Sequence, residues 1–262
     1  MKVFLFGLLV IIKTLSASAD EQVGNPQEKK ADFRVNAGWA LGMGPEFFGS
    51  ASMEFKHRPM LDLRYKDRFQ IFGPKVRYAL YKDASFSAGP LLNYSFGRKE
   101  SDNVGLEGLG DNPNIIEAGM FLHYKKKHFE LRLEGKSGLG KNSGETLTAT
   151  MVQGLLKREK ISMLLVLRAR FQTQKAMQRQ FGVTESQAAM SVSSLSPFKP
   201  SAGVSNSNII VLGEYKLKKN LSLMFIGSLW KLMADAKNSP IIKSDFGHDF
   251  QSLFGTALIY KF

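Results

Sequence analysis

Phe129-Glu130-Leu131-Arg132-Leu133-Glu134-Gly135-Lys136 is the stretch that decides the fold. Successive side chains of an extended chain point to opposite faces, so Phe129, Leu131 and Leu133 share one side and Glu130, Arg132, Glu134 and Lys136 the other. The run reads as a strand with one apolar face. The same alternation sets Leu61, Leu63 and Tyr65 against Asp62, Arg64 and Lys66, and Val76, Tyr78 and Leu80 against Lys75 and Arg77. Within the segment from Ile161 to Phe171, Met163, Leu165, Leu167 and Ala169 oppose Arg168 and Arg170. A soluble sandwich turns such apolar faces inward and its charges to water, whereas a membrane barrel does the reverse. Alternation alone leaves both open.

The connections between these runs separate the two. Very short ones are expected at residues 65–68, 81–85, 125–128, 158–160 and 218–220. Longer, polar, Gly-rich ones fall at 44–50, 97–114, 137–144, 173–206 and 235–248, so short and long alternate along the chain. Outer-membrane barrels have this asymmetry, with tight periplasmic turns and long external loops. With both ends inside and Gly73-Pro74 as a tight external turn, the count is about twelve antiparallel strands, an even number as in bacterial barrels. The stretch from Phe69 to Phe72 is short for a crossing, and merging it with its neighbours would leave about ten. The last strand, from Phe250 to Phe262, places Phe254, Leu258, Tyr260 and Phe262 on one face and stops at an aromatic residue, the signal expected of barrels.

The beginning of the chain agrees. Lys2, an apolar run from Val3 to Ile12 and the triplet Ala17-Ser18-Ala19 read as a secretory signal peptide over residues 1–19. Its apolar core of about ten residues is half what a membrane-spanning helix needs. Residues 20–31 then form a short polar periplasmic segment, and 32–262 the barrel. The chain has no cysteine, so it carries no N-terminal lipid anchor on that residue and no disulfide. The formal charge of +13 falls by two when Lys2 and Lys13 leave with the leader. Export and the scatter of basic residues over turns and alternate positions argue against nucleic acid. Membrane lipid, lipopolysaccharide phosphates and anionic wall polymer are the counter-charges within reach.

Motifs for chemistry are sparse. Gly135-Lys136-Ser137-Gly138-Leu139-Gly140-Lys141-Asn142 approaches a phosphate-binding loop, yet Asn142 stands where a Ser or Thr is needed and no helix follows. His57, His123, His128 and His248 are too scattered for a metal motif, so neither metal nor cofactor is expected. His248 beside Asp249, with Ser252 near, is the only local candidate for a hydrolase at the external rim. Neighbours in a strand face opposite ways, which argues against catalysis there, and no catalytic residue is assigned.

Two groups of residues remain. Arg64, Arg77, Glu130, Arg132, Glu134, Arg168, Arg170 and Glu214 are expected to line the lumen, either as a conducting pore or as a mutually paired filling. The alternating signs of Glu130, Arg132 and Glu134 opposite Arg168 and Arg170 favour pairing. Lys125, Lys126, Lys127, Lys157, Arg158, Lys218 and Lys219 cluster at the turns assigned to the periplasm. There they would bind an acidic partner or murein, or serve only as solvated strand ends.

Several short motifs carry a family resemblance across most of the mature chain. They are Gly44-Pro45-Glu46-Phe47-Phe48-Gly49-Ser50, Pro59-Met60-Leu61-Asp62-Leu63-Arg64-Tyr65 followed by Asp67-Arg68-Phe69, and Gly89-Pro90 with Gly97-Arg98. Further on come Leu106-Glu107-Gly108-Leu109-Gly110-Asp111, Phe181-Gly182-Val183 with Ser186-Gln187, and Asp235-Ala236 ahead of Asn238-Ser239-Pro240-Ile241-Ile242. In this order they resemble the MipA/OmpV family, named for the MltA-interacting protein and a porin-like antigen. The chain departs from it at Gln180, where Tyr is usual, and at Leu232-Met233-Ala234 in the last long loop. The loop motifs themselves need little beyond turn chemistry, with Gly for positive φ and Asp or Asn for caps. What the resemblance implies is an outer-membrane location in a Gram-negative cell and a non-enzymatic scaffold linking a murein hydrolase to a murein synthase. A porin-like channel for small solutes is the alternative, and a rim hydrolase a third.

Overall fold

Alternating segments of this kind can satisfy their backbone only by pairing edge to edge, and without a free edge only by closing on themselves. The computed structural model describes residues 32–140 and 143–262. The expected leader, the polar segment 20–31, and Lys141-Asn142 of the Gly-Lys loop lie outside the described residues. One antiparallel sheet contains β1 (Phe33–Pro45), β2 (Met53–Tyr65), β3 (Phe69–Phe72), β4 (Lys75–Tyr78), β5 (Tyr81–Lys82) and β6 (Phe86–Ser95). It continues through β7 (Ile115–Lys126), β8 (Phe129–Gly138), β9 (Glu145–Lys157), β10 (Ile161–Gln172), β11 (Gly203–Lys218), β12 (Leu221–Leu232) and β13 (Phe250–Lys261). Apart from β4 and β5, each strand pairs with the next in sequence. β1 also pairs with β13, and β4 with β6, which closes the ring. β4 and β5 both lie against β6 and are two pieces of one crossing, so the barrel has 12 strands. The short stretch from Phe69 to Phe72 is a strand of its own. At the interruption, a Cβ on Gly89 would come within 1.9 Å of the Tyr78 carbonyl oxygen, so only glycine lets β6 pass there.

The two faces are distributed as a membrane requires. Leu61, Leu122 and Phe254 are 43 %, 52 % and 56 % exposed, while Glu130 and Arg132 are 4 % and 2 % exposed. Apolar side chains coat the outside and charges sit inside, the inverse of a soluble sandwich. Among the described residues no helix is long and apolar enough to span a bilayer.

The interior is not uniformly charged. Most of the ionic side chains come from β2 to β8, with Arg168 and Arg170 added by β10 and Glu214 by β11, whereas β9 to β13 and β1 supply most of a packed apolar cluster including Val152, Leu164, Val166, Ile210, Leu212 and Met224. Its signal in sequence is the unbroken apolar run Leu164-Leu165-Val166-Leu167 with Ile209-Ile210-Val211-Leu212 paired beside it. Such runs are apolar on both faces, as in strands buried on both sides.

The long connections emerge at one end and fold together. Residues 173–203 contain α1 (Gln174–Phe181) and α2 (Glu185–Met190), and the last long connection contains α3 (Pro240–Lys243). Thr184 caps α2 by accepting from the Gln187 amide, while Gln187 accepts from the Thr184 amide. Phe47, Leu106, Leu109, Met177, Phe181 and Ile241, from four different loops, meet in a second apolar core over the mouth. The β1–β13 ladder stops at Met43 and Phe254, but the loops extend the seam beyond it. The His248 amide donates to Gly49 O at 2.8 Å and the Ala51 amide to Phe246 O at 2.9 Å. Gln251 adds two bonds, accepting from the Gly49 amide at 3.1 Å and donating to Ser50 O at 3.0 Å.

Candidate functional site

Three regions of the interior and its ends hold polar groups that lipid does not touch. In mid-barrel, Glu134 on β8 accepts from Lys75 Nζ and Arg77 Nη2 on β4, both at 2.5 Å. Beside it on β8, Glu130 pairs with Arg132 and stands 3.1 Å from His123 Nε2 on β7. Asp62 on β2 takes Arg64 at 2.7 Å and Gln70 at 2.8 Å. Nearer the short-turn end, Glu214 accepts from Lys261 at 2.7 Å. These pairs form because strand alternation aims each charge at the lumen, and a buried carboxylate is tolerable only with its cation beside it.

Toward the long loops lies a cavity of about 110 Å³. Arg168 and Arg170 at the top of β10 line it, with Lys136, Trp230 and the loop residues Arg98 and Arg179. Its carboxylate, Glu117, accepts from Lys136 Nζ at 2.6 Å and from Asn93 Nδ2 at 2.7 Å. Burial lowers the guanidinium pKa of Arg98 to about 10 and pulls that of Arg179 down as well. Outside this cavity, a groove of about 780 Å³ runs between the 95–115 loop and α1–α2. Arg98, Asn112 and Arg179 border both spaces.

At the short-turn end a cavity of about 380 Å³ opens below the ion pairs, lined by Arg64, Arg77, His123 and Lys125 among others. Around it Lys126, Lys127, Lys157, Arg158, Lys218 and Lys219 are exposed. Acidic residues at this rim are few: Asp32, Asp67, Asp83 and Glu159.

All eight residues read from the sequence as lumen-lining point inward, and the structure adds Lys75, Lys136, Asp62, Glu117 and His123 to them. Asp62, Lys75 and Lys136 are on the charged faces read from the alternation, in phase with Arg64, Arg77 and Glu134, whereas Glu117 and His123 lie on β7, where no lumen residue is assigned from the sequence. The seven basic turn residues all lie at the short-turn end. Lys136 of the Gly-Lys loop is committed to Glu117. Of the candidate rim trio, His248 turns Nδ1 to the Phe250 backbone and Asp249 pairs with Lys231 at 2.8 Å. Among the described residues no cluster of three or more His, Asp or Glu is arranged for a metal.

A closed antiparallel barrel with an apolar outer belt, a polar-lined interior and unequal ends defines a transmembrane β-barrel of the outer-membrane type. Residues 37–262 match the family model described as MltA-interacting protein MipA, and the chain belongs to that family. Similar solved structures include a NanC porin, at 6 % identity over 88 % of this chain and 100 % of that one, TM-score 0.45. An outer-membrane channel from Pseudomonas putida F1 matches at 9 % identity over 92 % and 100 % of the two chains, TM-score 0.45. A KdgM porin matches at 10 % identity over 87 % and 99 %, TM-score 0.39. Comparison with curated proteins found no match.

Proposed function

We propose that this chain sits in the outer membrane with its short turns in the periplasm and serves as a non-enzymatic docking scaffold for murein-remodelling enzymes. The observation that carries this reading is the division of charge between interior and rim. Lumen carboxylates are taken up by neighbouring cations, whereas the rim residues Lys126, Lys127, Lys157, Arg158, Lys218 and Lys219 stand exposed, with Lys125 half-buried beside them, around few acids. A rim of this kind attracts an acidic protein surface. The family description, which names an interaction with MltA, supports the same direction. Immobilised barrel should retain a murein hydrolase or synthase from periplasmic extract. Changing Lys125, Lys126 and Lys127 to Ser should weaken retention several-fold, and unchanged retention would remove that turn from the docking surface.

A porin-like function is the second reading, favoured by the cavities that enter the polar side of the lumen from both ends. The layer formed by Lys75, Arg77, Glu130, Arg132 and Glu134 lies between them and favours a closed barrel. Purified protein in a planar bilayer distinguishes the two. Discrete conductance steps would establish the channel, and an electrically silent bilayer would oppose it.

A further inference from the structure

Three arginines at the long-loop end have no acidic partner within ion-pair distance among the described residues: Arg98, Arg168 and Arg179. All three line the 110 Å³ cavity. Arg168 is 7 % exposed and its Nη2 has no hydrogen-bond acceptor, and the Nε atoms of Arg98 and Arg179 are likewise buried without one. Glu117, the carboxylate of this cavity, is engaged by Lys136 and Asn93. The cavity therefore concentrates positive charge where the loop cap restricts water. Burying a guanidinium without a counter-ion is as unfavourable as removing the carboxylate from a buried ion pair. Mid-barrel, the same protein neutralises each such charge with a carboxylate. Here none of the three arginines has one within ion-pair distance, and the lowered pKa of Arg98 registers the burial.

The surroundings give this charge an access route. Arg98 and Arg179 stand where the outer groove meets the cavity. Arg98 and Asn112 exchange backbone hydrogen bonds at 3.0 and 2.7 Å, and Asn112 Nδ2 donates to Arg179 O at 2.9 Å, so the two arginines are held on either side of that junction. Guanidinium groups present paired N–H donors that match the oxygens of carboxylate or phosphate. We propose that this junction is a binding site for a small oxyanion, a carboxylate or phosphate group, which enters from the groove between Arg98 and Arg179 and is held from below by Arg168. The rest of a larger solute would remain in the groove. The site is independent of partner docking at the opposite rim, and it holds whether or not the lumen conducts.

The chain has two tryptophans, and Trp39 faces lipid, so Trp39→Phe leaves Trp230 of the cavity wall as reporter. Folded barrel carrying this change is titrated in detergent with inorganic phosphate, acetate and, as a neutral control, glucose, at constant ionic strength. Saturable change in Trp230 emission with phosphate, acetate or both is expected, and none with glucose. A response to phosphate alone or acetate alone identifies the preferred group. Arg168→Gln and Arg179→Gln should each raise the half-saturating concentration about tenfold or more. Lys160→Gln at the opposite end should leave it unchanged. Heat-modifiable gel migration verifies folding, and if Arg168→Gln does not fold, Arg179→Gln in the loop carries the test. No saturable response to either anion, or unaltered half-saturation in the folded variants, overturns the proposal.

Discussion

Glu134 holds two cations from another wall of the barrel, and the stability of mid-lumen depends on it more than on any single pair at the surface. Glu134→Gln keeps the shape and removes the charge, leaving Lys75 and Arg77 side by side. Breaking a buried ionic arrangement from one side typically costs about 3–5 kcal/mol. Urea unfolding of the barrel in lipid vesicles should register a loss of that order, and a change below about 1 kcal/mol, typical of surface pairs, would mean water already screens the layer. Asp83 presents the opposite situation, an exposed carboxylate in a tight turn. It accepts from the Phe86 amide at 2.7 Å, from Tyr81 Oη at 2.8 Å and from the Ser85 amide at 2.8 Å. The Phe86 bond first, then the others, hold its carboxyl below the usual carboxylate range. A depressed folded pKa contributes stability above the unfolded value of about 3.9 that disappears as pH falls through the folded one. Asp83→Asn should therefore lower the urea midpoint at pH 7, and the difference from the parent should vanish in strong acid. A gap independent of pH would assign the effect to turn shape alone.

Among the elements, the loop cap depends most on backbone geometry. Gly108 adopts φ +86°, and a Cβ there would lie 1.9 Å from Met190 O. Gly108→Ala should cost about 1–3 kcal/mol of local strain and unseat the 95–115 loop from α2. Limited proteolysis should then cut within 96–114 and 173–203 while the strands stay protected, and an unchanged cleavage pattern would count against a cooperative cap. Sequence reading recognised the glycines of this region as turn formers and the family motifs as loop braces. It did not reveal that Leu106, Leu109, Phe181, Ile241 and Ile242 form a core, because loop apolar residues have no period and their partners lie far along the chain. Strands were easier, since alternation in β8 and β2 is a local property. The apolar half of the lumen is not legible from Met163, Leu165, Leu167 and Ala169 opposing Arg168 and Arg170, because the run around Leu164 and Val166 is apolar on both sides.

For the molecule as a whole, the separation of charge makes a prediction about salt. The screening length shortens from about 10 Å at 0.1 M to about 3 Å at 1 M. Partner retention through the lysine rim should fall steeply over that range, whereas retention that persists in 1 M salt would indicate apolar contacts. Fold and membrane class were legible from loop lengths and alternation; the pairing within the lumen was not, because register between distant strands decides which charges meet. The seam between β1 and β13 has a mechanical consequence of its own. The ladder ends at Met43 and Phe254, and above that level Gly49, Ala51, Phe246, His248 and Gln251 bolt the first loop to the last. A barrel fastened in this way resists unzipping from its outer end. Lateral parting of the wall, if force or an assembly factor imposes it, must begin at the short-turn end and work toward the long loops against the bolt.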